Sequence, residues 1–146
     1  MPEMPVGADL NLFRSFPPGN YEVKSLGETR YTKLEIACFD KNVKSLVHYH
    51  PHADETYYVA EGEAIYRQDK RLLEGPRRSG KKTVIRYEIE EIKAKPGFLM
   101  LFQPNKIHQV EAVTQLRLVR ILSSPVGDFS AVEARDWSSI KPPNAF

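Results

Sequence analysis

The sequence predicts an all-β domain, either a sandwich or a barrel. Three observations carry that expectation. Most periodic segments alternate with a period of two and are rich in aromatic and β-branched residues. Turn residues separate them at short intervals, and no stretch keeps a clear 3.6-residue repeat. The chain has 146 residues, 41% of them hydrophobic and 27% charged, which suits a single globular core.

Residues 1–20 read as an extended N-terminal arm rich in Pro and Gly, and Phe16-Pro17-Pro18-Gly19-Asn20 marks the turn into the barrel. Residues 21–122 form the barrel itself, with strands expected over 31–39, 44–50, 55–60, 63–68, 83–93, 98–102, 108–113 and 115–121. Residues 123–146 form a short C-terminal tail that allows a short helix over 128–137, stopped by Pro142-Pro143. The run Phe98-Leu99-Met100-Leu101-Phe102 is apolar on both faces. One face fills the barrel, so the other needs cover, from a homodimer partner or from a terminal segment folding back.

Composition excludes several function classes. No apolar run approaches the roughly 20 residues of a membrane helix. The opening Met1-Pro2-Glu3-Met4-Pro5-Val6 lacks the basic and apolar regions of a secretory leader, and the single cysteine, Cys38, has no internal disulfide partner. A cytoplasmic protein without membrane contact is expected. A formal net charge of +2, without stacking aromatics among the basic residues, gives no footprint for nucleic acid.

The chemistry concentrates in His48-Tyr49-His50-Pro51-His52-Ala53-Asp54-Glu55. Residues two apart on a strand share a face, so His48 and His50 can hold one ion from the same side while Tyr49 points away. Pro51 ends that strand, and Glu55 opens the next with a carboxylate placed to close the site. All four histidines of the chain, His48, His50, His52 and His108, fall in this segment and one later one.

The spacing of His48, His50, Glu55 and Gly62, with a later Pro104-x-x-x-His108, resembles the two metal motifs of the cupin superfamily across residues 46–112. The second motif departs from the family, which often places Gly just after the proline and Asn four residues past the histidine; this chain has Asn105, Lys106 and Ala112 there. Asn105 can still take the left-handed conformation a Gly would supply. The resemblance implies a double-stranded β-helix, or jelly-roll barrel, with His48, His50, Glu55 and His108 as ligands. Three imidazoles and a carboxylate suit one divalent transition metal (Fe, Mn, Ni, Co or Zn), and six-coordination leaves two positions open. A closed cysteine-rich zinc site is excluded by the single cysteine.

Around this centre the residues keep alternatives open. His52 lies beyond the Pro51 break and reads as a rim residue able to move protons. Tyr57 shares the parity of Glu55, either to hydrogen-bond a substrate or as a core tyrosine satisfied by backbone. Counting strand directions puts the insertion 69–82 at the metal end of the barrel. Its Arg77, Arg78, Lys81 and Lys82 either draw in anionic substrates or are an ordinary solvated loop. Arg86 either pairs with a substrate carboxylate or faces solvent. Cupin-like proteins include dioxygenases, isomerases and epimerases, and non-catalytic sensors, so the resemblance leaves three readings for a small-molecule site. The preferred one is a dioxygenase-type oxidoreductase acting on a small oxygenated metabolite, either neutral or anionic. A sugar or sugar-phosphate isomerase is next, with His52 or Tyr57 as base, and a small-ligand sensor is third.

Overall fold

A computed structural model of the protein describes residues 9–74 and 83–143, and of 71–74 and 83–87 the backbone alone. Among the described residues ten strands make two five-stranded sheets. The first sheet contains β1 (Tyr21–Glu28), β2 (Thr32–Phe39), β9 (Leu116–Ser123), β4 (Asp54–Glu61) and β7 (Leu99–Phe102), in that spatial order. The second contains β10 (Val132–Ala134), β3 (Val47–Tyr49), β8 (His108–Ala112), β5 (Ala64–Glu74) and β6 (Thr83–Ala94). Every named pairing is antiparallel, and consecutive strands repeatedly change sheet, which gives the jelly roll, or double-stranded β-helix.

The core lies between the sheets. Ala37, Phe39, Tyr57, Val59, Phe102, Leu116 and Leu118 from the first sheet meet Ala64, Tyr66, Val110 and Ala112 from the second. Every second residue points inward, as the period-two pattern requires. Gly62 makes the turn between β4 and β5 at φ 84°, and a Cβ there would sit 2.0 Å from the Gln115 carbonyl oxygen. Only glycine fits that close approach.

The tail differs from expectation. The span 128–137 holds β10 instead of a helix, with Val132 opposite Tyr49 and Ala134 opposite Val47. The physical reason is an unpaired edge on β3 and an apolar outer face, Val47, Tyr49 and Ile107, that Val132, Ala134, Trp137 and Ile140 cover. Tertiary pairing overrides a weak local helix preference. The hairpin of β5 and β6 is also longer than expected: β5 continues to Glu74, so 69–74 is strand and not loop.

The arm packs on its own barrel. Cys38 Sγ reaches the Phe13 carbonyl at 3.3 Å, Arg117 donates to the Leu10 carbonyl at 2.6 Å, and Arg14 pairs with Glu61. Farther along the same outer face, Leu99 and Leu101 on the edge strand β7 remain 64% and 59% exposed. Among the described residues no helix is long and apolar enough to cross a membrane.

Candidate metal centre

The two sheets contribute opposite halves of the site. His48 on β3 lies directly across from His108 on β8, and His50 follows just past the end of β3. Pro51 separates this segment from β4, which belongs to the other sheet, so Glu55 faces the histidines across the barrel. The proline break is thus a crossover between sheets. Asn105 adopts φ 69°, as its place in the motif anticipates, and its N–H donates to the His50 carbonyl at 3.0 Å. That bond ties the turn before His108 to the turn after His50.

All four side chains are buried, Glu55 completely. Each imidazole directs Nδ1 toward a backbone carbonyl: His48 to Leu46 at 3.0 Å, His108 to Lys106 at 2.7 Å, and His50 to Ser130 at 3.2 Å and Phe129 at 3.3 Å. A carbonyl accepts only, so each Nδ1 carries the proton and each Nε2 presents a lone pair. Those three Nε2 atoms converge on a single carboxylate oxygen, Glu55 Oε2: His48 and His108 at 3.5 Å, His50 closer still. Both Glu55 oxygens and the Nε2 atoms of His50 and His108 are buried without a hydrogen-bond partner. Lone pairs aimed at a carboxylate inside a low-dielectric core repel unless a cation sits among them.

Ionisation follows the same geometry. Burial, then the neighbouring His48, push His108 down to about 4, so its imidazole is neutral at neutral pH. Burial opposes ionisation of Glu55, but the facing His108, His48 and His50 outweigh it and hold the carboxyl well below its usual range. For His50, burial is overcome by Glu55 and the imidazole is raised. A carboxylate with imidazole lone pairs is the donor set of a first-row divalent ion. His48, His50 and Glu55 bring their ligand atoms within 4.8 Å of one another, the make-up of a single divalent-metal site.

The fold is that of the cupins. A Klebsiella pneumoniae protein with a double-stranded β-helix domain superposes with a TM-score of 0.67 at 17% identity, covering 90% of this chain and 99% of its own. An RmlC-like cupin from Desulfovibrio desulfuricans gives a TM-score of 0.58 at 18% identity over 75% of this chain and 87% of its own. Peruvianin-I from Thevetia peruviana latex, described as a cysteine peptidase, gives 0.57 at 12% identity over 83% of this chain and 71% of its own. No family profile and no curated protein matches the chain. Neighbours this dissimilar in sequence share a fold, and the chemistry must be read from the site.

The cluster opens into a cavity of about 160 Å³ lined by His48, His50, Tyr57 and Arg120, with Phe39, Val110 and Leu118 among its apolar walls. Tyr57 is where the sequence put it: buried, its hydroxyl 3.5 Å from His48 Nε2, its ring parallel to that of Tyr66 at 5.5 Å. Burial and then the charge of Glu55 raise its pKa well above the usual phenol range, so the hydroxyl keeps its proton. His52 is not brought into the cavity; it is exposed, its Nε2 4.0 Å from Asp128 Oδ2. Arg77, Arg78, Lys81 and Lys82 lie outside the described residues. Arg86 lies on β6 opposite Leu72, where the backbone alone is described.

Sequence reasoning missed Arg120 and Glu35. They are direct cross-strand partners on β9 and β2, and Arg120 Nη2 donates to Glu35 Oε1 at 3.0 Å inside the barrel. The signal was present: Arg120 shares the inward parity of Leu116, Leu118 and Leu122, and an arginine on the apolar face of a strand needs a reason.

Proposed function

We propose that the chain is a metal-dependent enzyme of the dioxygenase type, acting on a small oxygenated metabolite, with His108 as the fourth ligand beside His48, His50 and Glu55. The observation that carries this reading is the set of buried Nε2 lone pairs, each fixed by a backbone carbonyl behind it, converging on one carboxylate at the end of a cavity. His48, His50, Glu55 and His108 would hold a divalent ion, which would supply activation of dioxygen and of a substrate oxygen.

The remaining steps belong to the protein. The apolar walls, Phe39, Val110 and Leu118, exclude water around the reacting atoms. Tyr57, protonated and 3.5 Å from His48 Nε2, donates a hydrogen bond to a substrate oxygen beside the centre. A cavity of about 160 Å³ is smaller than the roughly 300 Å³ at which drug-sized pockets begin, so the substrate is small.

A second reading, a sugar or sugar-phosphate isomerase, draws on Glu133, an exposed residue at the edge of the same cavity whose carboxylate offers a proton acceptor where His52 does not reach. The two readings separate in one experiment on metal-reconstituted protein. Oxygen consumption with small diols, enediols or hydroxy acids supports oxidation, whereas deuterium exchange into a sugar without oxygen uptake supports isomerisation. Neither response leaves a binding protein.

The exposed apolar side chains Leu34, Leu101, Tyr58 and Leu99 on the outer face of the first sheet also support a homodimer. Sedimentation of the wild type against Leu101→Lys tests it, a monomer in both refuting the interface.

A further inference from the structure

The cavity holds a second charged device besides the histidine cluster. Glu35, Arg120 and Tyr57 form one row across the first sheet, each the direct cross-strand partner of the next, on the face that lines the cavity. Arg120 is four-fifths buried, its side chain 19% exposed, and Glu35 is 8% exposed. An ion pair taken this far out of water costs more in desolvation than an exposed pair returns, so its presence inside a cavity wall calls for a further partner.

The Arg120 guanidinium has donors to spare for such a partner. A guanidinium carries five N–H donors in a planar fork, and Glu35 takes one of the Arg120 terminal nitrogens. Arg120 Nε is buried with no acceptor. The fork is thus under-satisfied on the wall of the same 160 Å³ cavity into which the His48 and His50 rings project.

Charge points the same way. A divalent ion contributes two positive charges and Arg120 one, against one negative charge each on Glu55 and Glu35. The interior then carries one uncompensated positive charge, and a bound monoanion neutralises it. Glu133, the acidic residue lining the cavity, is exposed and screened by water.

We propose that Arg120 is the substrate anchor of this cavity, and that the substrate is a small carboxylic acid bearing a hydroxyl or keto oxygen next to the carboxylate. The carboxylate lies on the Arg120 fork, and the neighbouring oxygen reaches the His48–His50–Glu55 centre beside the Tyr57 hydroxyl. A planar fork matches a carboxylate with paired hydrogen bonds. A phosphate dianion fits less well, because its second charge would meet the Glu35 carboxylate beside Arg120. This inference rests on the reading of the cluster as a metal centre, and it places the source of anion selectivity inside the cavity.

The test uses metal-loaded full-length protein and calorimetric titration with glycolate, ethylene glycol and inorganic phosphate. Wild type is expected to bind glycolate at least tenfold more tightly than ethylene glycol, which has the same oxygen spacing without the carboxylate charge. Arg120→Gln should lose ten- to hundredfold in glycolate affinity, the worth of hydrogen bonds to a charged group, with metal stoichiometry unchanged. Arg120→Lys should recover part of the loss. Glu35→Gln should bind glycolate as tightly as wild type or more so, because it releases the fork; a pair with only a structural role would make Glu35→Gln and Arg120→Gln equally harmful. The double variant Glu35→Gln/Arg120→Gln, which leaves no buried charge unpaired, keeps the test usable if Arg120→Gln folds poorly, and should show the same loss. Equal binding of glycolate and ethylene glycol overturns the anchor, as does an unchanged glycolate affinity in both Arg120→Gln and the double variant. Tighter binding of phosphate than of glycolate overturns the carboxylate assignment. Failure of wild type to take up metal is a separate result that sinks the metal-centre reading, and the anchor with it.

Discussion

Glu55→Gln isolates the electrostatic heart of the site, since it removes one negative charge and keeps the shape of a fully buried side chain. Two opposite effects follow. Without metal, the new amide N–H₂ can donate to the Nε2 lone pairs that converge on this position, so the metal-free variant should be at least as stable as metal-free wild type. With metal, the site loses its only anionic ligand. Removing partners that merely support a ligand costs about 10- to 100-fold in metal affinity, so losing the ligand charge should cost about 100-fold or more. At a free metal concentration 100 times the wild-type dissociation constant, wild type gains about 2.7 kcal/mol and the variant about 0.4 kcal/mol. At about 3 °C per kcal/mol for a domain of this size, the metal-induced rise in Tm is about 8 °C for wild type and about 1 °C for Glu55→Gln. Chelator-treated protein titrated with Mn(II), Fe(II), Co(II), Ni(II) or Zn(II) during calorimetric melting measures both numbers. An equal metal-induced rise in the two proteins would show that the convergence on Glu55 does not hold a cation.

The other expectations probe separate parts of the molecule. Gly62→Ala forces a Cβ to 2.0 Å from the Gln115 carbonyl at φ 84°, so denaturant unfolding should show a loss of about 3 kcal/mol or more from conformational strain and overpacking together; a loss below about 1 kcal/mol would contradict the turn geometry. Leu118→Ala, at a fully buried core position, should lose about 2–5 kcal/mol in the same assay, and a near-neutral result would mean the core is loosely packed there. Tyr57→Phe removes a hydroxyl whose hydrogen-bonding contact is His48 Nε2 at 3.5 Å, so the metal-free protein should change by less than about 1 kcal/mol; a loss above about 2 kcal/mol would assign the hydroxyl a structural role instead of a substrate-facing one. The N–H of Gly19, and then that of Lys41, hold the Asp40 carboxyl below its usual value. A folded-state pKa that is depressed gives stability present above the unfolded value, about pH 4, and lost as pH falls through the folded one. Urea midpoints measured between pH 5 and pH 2.5 should therefore fall less steeply for Asp40→Asn than for wild type, and parallel curves would refute the contribution.

Much of the site was legible because its signals are local. His48 and His50 share a strand face by the geometry of one strand, and Tyr57 shares the parity of Glu55 for the same reason. Gly62 and Asn105 mark positive-φ positions that few other residues tolerate. What stayed hidden depends on which strands become neighbours. Nothing near Arg120 in the sequence says that Glu35, 85 residues away, will lie beside it, nor that Arg120 will line the cavity with Tyr57. The sequence of the tail allows a short helix over 128–137 because β10 has no reason to form until the edge of β3 is there to receive it.

The sequence by itself therefore determined the strand alternation, the turn positions and the histidine–carboxylate composition of the centre, since each follows from the stereochemistry of residues a few positions apart. Only the tertiary structure decided that Glu55 faces the histidines from the opposite sheet, that the three Nδ1 atoms each meet a backbone carbonyl, and that a buried arginine stands on the cavity wall. Those facts arise from pairing and burial between segments far apart in the chain, where the cost of leaving a charge or a lone pair uncompensated selects the arrangement.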